Sequence, residues 1–261
     1  MNLDLKNKTA IVCGATQGIG LGIAQGLAKE GVILILVARD KEKLTHCINS
    51  LENSSKHSFI CVDFSKPKEL EVVVGSYFKK HKPTVHILIN NTGGPKSGPI
   101  EGATTDEFVN AFNMHVLCSH ILSSFVIPGM KKERYGRIIN IISTSVKVPI
   151  AGLGVSNTIR GAVANWSKTM ANELGGFQIT VNNILPGYTN TNRLKSLFEK
   201  MSNSQKKPLA EIEKNIINSV PLKRLGAIND VANIVTFLAS KKASYISGVN
   251  VPVDGGRTGS L

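Results

Sequence analysis

Several things are scarce in these 261 residues, and each scarcity closes a class of function. Cysteine occurs only at Cys13, Cys47, Cys61 and Cys118, with no paired metal or redox spacing, so the expectation is reduced thiols in a cytoplasmic protein. The longest apolar run, "VILILVA", is far too short to cross a bilayer. The start, "MNLDLKNKTA", carries no basic end followed by an apolar run and reads as neither secretory signal nor anchor. His81 and His86, or His115 and His120, stand without an accompanying carboxylate cluster, so no catalytic metal is expected. Acidic residues are also few: 18 against 31 basic ones, a net charge of +13 that favours anionic ligands. The lysines lie scattered, as in "KKHK" and "QKK", with no aromatic interleaving, so they read as solvated surface and not as a nucleic-acid interface.

What is present is a soluble globular balance, 42% hydrophobic and 19% charged, without low-complexity tracts. One domain over residues 1–261 is expected. Seven Val- and Ile-rich runs read as strands: "TAIVCGA", "VILILVA", "SFICVDF", "VHILINN", "GRIINIIS", "QITVNNILP" and "GVNVPVD". Their near-continuous hydrophobicity is that of strands covered on both faces. Helix-length segments separate them, which predicts an α/β fold: a seven-stranded, doubly wound parallel sheet with helices on both faces. Residues 189–220 break the rhythm. This lysine-rich interval, interrupted by Pro208, reads as a lid over the carboxyl ends of the strands, or else as a plain surface loop.

The first strand runs into "VCGATQGIGLGIAQGLAKEG". Gly14, Gly18 and Gly20 permit a tight turn and a close backbone approach to a pyrophosphate at the start of the following helix. The second strand ends in Arg39, which attracts a 2′-phosphate where an acidic residue would repel it. NADP(H) is therefore preferred, with NAD(H) possible because Asp40 follows immediately.

These motifs, in this order, resemble the short-chain dehydrogenase/reductase family, in particular its 3-oxoacyl-[acyl-carrier-protein] reductase-like branch. The resemblance covers nearly the whole chain. The glycine loop is similar to TGxxxGIG with Cys13 for threonine, and "NNTG" to NNAG with Thr92 for alanine. "CVDF" supplies an adenine-side aspartate, "LPGYTNT" a PG-x-x-x-T segment, and "SGVNVPVDGG" the last strand. The resemblance implies a cofactor site of Gly14, Thr16, Gln17, Gly18, Ile19, Gly20, Arg39, Asp63, Phe64, Asn90, Thr92, Gly93, Arg160, Pro186, Gly187, Thr189 and Thr191. It also implies a dimer or tetramer acting on a small carbonyl or alcohol, with the substrate-orienting serine at Ser143 and the water-holding asparagine at Asn113.

In that family an active-site tyrosine lies thirteen residues after the serine, with a lysine four further on. Those positions are Ser156 and Arg160. Ile159, Val163, Trp166, Met170 and Leu174 form an apolar stripe of the kind a core-facing helix needs and leave little room for a shifted alignment. Residues four apart stand about 40° from each other on a helix, so Ser156 and Arg160 project together. A serine hydroxyl is a weaker acid and a shorter arm than a phenol. Arginine keeps positive charge near ribose hydroxyls and a developing alkoxide but does not readily release a proton. The proton would then come from a water held by Ser143, Ser156 and Asn113, from Tyr188, or from the substrate itself. For Tyr188 a ring lining the pocket is the plainer expectation, and for His115 a structural role. Two functions follow: an NADP-dependent oxidoreductase with an atypical acid, or an NADP-binding sensor or partner subunit without turnover.

Overall fold

The short Val/Ile runs can bury every side chain only if both faces of the sheet are covered, and that is the arrangement found. The computed structural model describes residues 2–260. Its strands are β1 (Thr9–Cys13), β2 (Ile33–Ala38), β3 (Ser58–Cys61), β4 (Ile87–Asn90), β5 (Gly136–Ile141), β6 (Ile179–Pro186) and β7 (Asn250–Val253). They make one sheet in the order β3-β2-β1-β4-β5-β6-β7, with every neighbouring pair parallel. The expected seven-stranded parallel architecture is present.

The crossovers are α1 (Gly18–Lys29), α2 (Lys41–Asn49), α3 (Pro67–His81), α4 (Thr105–Phe112), α5 (Cys118–Glu133) and α6 (Gly154–Leu174), with α7 (Asn192–Gln205), α8 (Leu209–Ser219) and α9 (Ile228–Ala239) before the last strand. Alternate residues of β1 feed two cores. Ala10 and Val12 pack with Ile23 and Leu27 of α1 and Val231 and Val235 of α9. Ile11 and Cys13 pack with Leu70 of α3, and with Leu122 and Val126 of α5. The α4–α5 rod, Thr105–Glu133, is long and apolar enough to cross a membrane by composition, yet its stripe Cys118, Leu122, Val126 and Met130 is buried against the sheet.

A row of asparagines crosses the core where apolar side chains would be expected. Sheet register sets Asn90 beside Asn140, Asn140 beside Asn183, and Asn183 beside Asn250. Asn90 Nδ2 donates to Asn140 Oδ1 at 2.8 Å, Asn140 Nδ2 to Asn183 Oδ1 at 3.0 Å, and Asn183 Nδ2 to Asn250 Oδ1 at 2.8 Å. Asn140 Nδ2 also donates to Ser167 Oγ of α6 at 2.8 Å, which fixes α6 on the sheet. Buried amides need partners, and this ladder bonds every buried side-chain amide atom in it except Asn90 Oδ1 while setting the register of four strands.

Residues 189–220 are a pair of helices and not a plain loop. Leu194 and Phe198 of α7 meet Ile212 and Ile216 of α8 in a small core of their own. Each pair is spaced i, i+4, so one stripe of each helix is apolar while the lysines face outward. Pro208 stands at the N-cap of α8, where its missing N–H costs nothing.

Candidate active site

The strand order reverses between β1 and β4, and the crevice beyond their carboxyl ends is where such sheets bind ligands. The glycine loop occupies that crevice. Gly14 has φ +59° and Gly18 φ +55°, conformations that strain other residues. A Cβ on Gly20 would collide with the Gly14 carbonyl oxygen, so the loop must be bare backbone. Gln17 caps α1 without any side-chain bond to its first turn, leaving the leading amides of α1 open to an anion. Thr16 and Ile19 lie within this loop, half-buried. The loop thus fits a dinucleotide pyrophosphate by chemistry and by clearance.

Asn91 holds the loop in place, donating from Nδ2 to the carbonyls of Cys13 (3.2 Å) and Gly14 (3.4 Å). Sequence reasoning selected its neighbour Asn90, which instead turns into the asparagine ladder. The adjoining pair in "NNTG" gave no signal as to which amide faces the loop.

At the end of β2, Arg39 is exposed. Asp40 is committed elsewhere: it caps α2, accepting from Lys43 N at 3.0 Å and pairing with Lys43 Nζ at 3.1 Å. The backbone amide of Lys43 and then its side chain hold the Asp40 carboxyl below the usual range. Asp63 Oδ1 accepts from Ser65 N at 2.9 Å, a bond that lowers its pKa, and Arg39 adds to that lowering. Phe64 is buried, its carbonyl taking a weak bond from Cys118 Sγ at 3.2 Å.

Ser156 and Arg160 both face inward from α6, each only 8% exposed. Arg160 Nη1 donates to the Ile141 carbonyl at 2.8 Å, at the end of β5 and two residues before Ser143. Its Nε is buried without a partner. Burial, and next the like charge of Arg193, push the Arg160 guanidinium down to about 10. Ser143 Oγ accepts from Ser145 N at 3.1 Å, capping the turn after β5 and keeping its own proton to donate. Both roles weighed for this serine, site and cap, are compatible.

The helical wall departs from expectation. Between α4 and α5 the chain makes one π turn, Asn113–Leu117, which rotates the side chains relative to a continuous α-helix. Asn113 is half-buried. His115 is the buried residue of the turn: its Nδ1 lies 2.6 Å from Thr92 Oγ1, and its Nε2 has no partner. Burial first, then the cations of Arg160 and Arg193, hold His115 well below the ordinary histidine range. Asn113, carried over from the family resemblance, is the first residue of this π turn.

The segment after β6 supplies the far wall. Pro186 ends β6, Gly187 N donates to Val253 O at 2.9 Å, and Gly187 lies against Asp254, with no room for a Cβ. Thr189 is buried, and Thr191 caps α7 by accepting from Leu194 N at 3.3 Å. The Thr191 methyl lies 3.4 Å from where a Gly18 Cβ would stand, which closes the crevice over the glycine loop. The Tyr188 ring packs with the α7–α8 core near Phe198 and under the Arg257 guanidinium at 4.5 Å. It lines a separate cavity of about 360 Å³ with Leu222, Arg224 and Asp254. Sequence reasoning did not select Arg193, which reaches from α7 to donate to the carbonyls of Gly94 (3.2 Å) and Pro95 (3.3 Å).

Comparison with known proteins agrees with this geometry. A family model described as Enoyl-(Acyl carrier protein) reductase matches residues 14–258. The chain is 32% identical to the Uncharacterized oxidoreductase YxjF of Bacillus subtilis over 256 residues, 97% of this chain and 99% of that one. It is 30% identical to the 3-oxoacyl-[acyl-carrier-protein] reductase FabG of Pseudomonas aeruginosa, covering 97% of this chain and 98% of the relative. Among solved structures, L-sorbose reductase from Gluconobacter frateurii, complexed with NADPH and L-sorbose, superposes with a TM-score of 0.92 at 28% identity over the whole of both chains. The fold and its crevice define a dinucleotide-binding oxidoreductase class. Within it, this chain belongs to the short-chain dehydrogenase/reductase family.

Proposed function

We propose that the protein is an NADPH-dependent reductase of a small carbonyl compound in which proton delivery no longer rests on a tyrosine. The observation that carries the reading is the glycine crevice: bare loop, open α1 amides, Asn91 brace and an exposed Arg39 whose acidic neighbour is spent on capping α2. NADPH-complexed reductases among the structural relatives support the same cofactor.

The residues expected to hold NADPH are the loop from Gly14 to Gly20 for the pyrophosphate, Arg39 for the 2′-phosphate, Asp63 and Phe64 at the adenine side, and Thr92, Gly93, Arg160 and Thr191 toward the nicotinamide. When bound, NADPH supplies the hydride. Ser143 then orients the carbonyl oxygen with its hydroxyl proton. Arg160 stabilises the negative charge that develops on that oxygen, in a setting dry enough to make the charge effective. The hydroxyl of Ser156, where the family tyrosine would stand, is too short an arm to replace a phenol, so with Ser143 and Asn113 it holds a water that gives its proton to the forming alkoxide and is reprotonated from bulk solvent. The α7–α8 pair serves as the substrate lid, and the apolar residues Val109, Phe112 and Leu117, exposed on the α4–α5 rod, are suited to pairing with another copy in a dimer or tetramer.

The test is a fluorescence titration with NADPH and NADH, followed by NADPH oxidation against ketones, aldehydes and acyl thioesters. NADPH is expected to bind at least about tenfold more tightly, with turnover on a ketone or aldehyde. Tight binding with no turnover anywhere on the panel would favour a sensor or partner subunit instead.

A further inference from the structure

Arg160 from α6 and Arg193 from α7 bring their guanidinium tips to the same place. Both Nη2 atoms lie close to the point where a Gly94 Cβ would stand, at 3.4 Å for Arg160 and 2.5 Å for Arg193. Arg160 is 8% exposed and keeps a buried, unpartnered Nε. His115, 5% exposed, adds a second buried and unpartnered nitrogen, Nε2. Among the described residues neither guanidinium pairs with a carboxylate, and the only charged group acting on Arg160 is the like charge of Arg193.

A buried cation such as Arg160 is costly unless something anionic meets it, and Arg193, exposed on α7, sets a second cation beside it. Among the described residues the protein supplies no anion to this pair. The anionic groups of the dinucleotide already have receptors on the other side of the crevice, in the α1 amides and Arg39. Lysine at 160 would offer a point charge, whereas two planar forks match the paired oxygens of a carboxylate or phosphate.

We infer that Arg160 and Arg193, with Gly94 leaving space between them, form a receptor for an oxyanion carried by the substrate, so that the substrate is a small carbonyl compound bearing a carboxylate or phosphate group. This rests on the reductase reading and narrows it. Gly94 is part of the receptor because a side chain there would displace the Arg193 tip and come into contact with that of Arg160. Arg193 rides on the lid helix, so the bound oxyanion also ties α7 to the loop after β4, where its guanidinium already grips the Gly94 and Pro95 carbonyls.

The test measures binding by calorimetry with the full chain loaded with NADP⁺, using 2-oxo, 3-oxo and 4-oxo acids, the methyl ester of each, and dihydroxyacetone phosphate. At least one acid, or the phosphate, is expected to bind about tenfold or more tightly than the uncharged esters. Arg193→Met should erase that difference while leaving the NADPH dissociation constant within about twofold, and Arg193→Lys should keep part of it because the charge stays and the fork is lost. The acid and phosphate arms identify which oxyanion is taken. The inference is overturned if the wild-type protein treats acids, phosphate and esters alike. It is equally overturned if Arg193→Met weakens NADPH and spares the acid preference, which would give Arg193 to the cofactor. Acid preference without any turnover would keep the receptor and sink the reductase reading; turnover without acid preference would do the reverse.

Discussion

Thr92 Oγ1 and His115 Nδ1 meet at 2.6 Å, joining the loop after β4 to the π turn between α4 and α5. One wall of the cleft thereby becomes rigid, and an imidazole is set beside the two cations that face it. Because burial and then Arg160 and Arg193 lower its pKa, His115 is neutral in the folded protein at neutral pH.

That arrangement makes stability depend on pH with a definite sign. Below the ordinary histidine value of 6.5 the unfolded chain takes up a proton at His115 that the folded chain refuses, so folding stability falls as pH falls through that value. His57 and His86 are lowered as well, chiefly by burial, and contribute in the same direction. Melting temperatures at about pH 7.5 and about pH 5.5 should therefore drop more steeply for the wild type than for His115→Gln. Equal slopes would place His115 in a setting that does not discriminate between its two protonation states.

In the proposed function, cofactor choice rests on Arg39. Replacing it with aspartate removes the partner of the 2′-phosphate and puts repulsion in its place, while Asp40 remains engaged with Lys43. The ratio of NADPH to NADH affinity should fall by about ten- to a hundredfold, read by titrating both nucleotides. An unchanged NADPH affinity would mean that the phosphate is held elsewhere.

The asparagine ladder should be costly to interrupt. Asn140→Ala strips partners from Asn90, Ser167 and Asn183 at once and leaves their polar atoms buried. A loss of about 2–3 kcal/mol in denaturant unfolding is expected. Asn250→Ala, at the half-buried end of the row, should cost less, since water can reach its neighbour.

Much of this was legible in the amino-acid order, for physical reasons. Strands covered on both faces must be apolar throughout, so the β1–β7 runs stood out. The glycine loop was legible because only glycine meets its φ values and its clearance. The helical period placed Ser156 and Arg160 on one inward face, as found. What escaped depended on rotation or on distant contact. The π turn buries His115, the chain after β4 sets Asn91 against the glycine loop, and Arg193 reaches Gly94 only by crossing from α7. In the α7–α8 interval the Leu194–Phe198 and Ile212–Ile216 stripes were present, but lysines and Pro208 outweighed so narrow an apolar signal.

The central claim is that an intact NADPH crevice here lacks its usual proton donor at position 156. The most direct measurement is the steady-state rate of NADPH oxidation on a plain ketone by the double variant Ser156→Tyr, Arg160→Lys, compared with the wild type. With a phenol and a lysine restored opposite Ser143, the rate should rise by on the order of 10²-fold or more, the usual worth of a positioned general acid. A double variant that folds and binds NADPH yet reduces the ketone no faster than the wild type would contradict the claim.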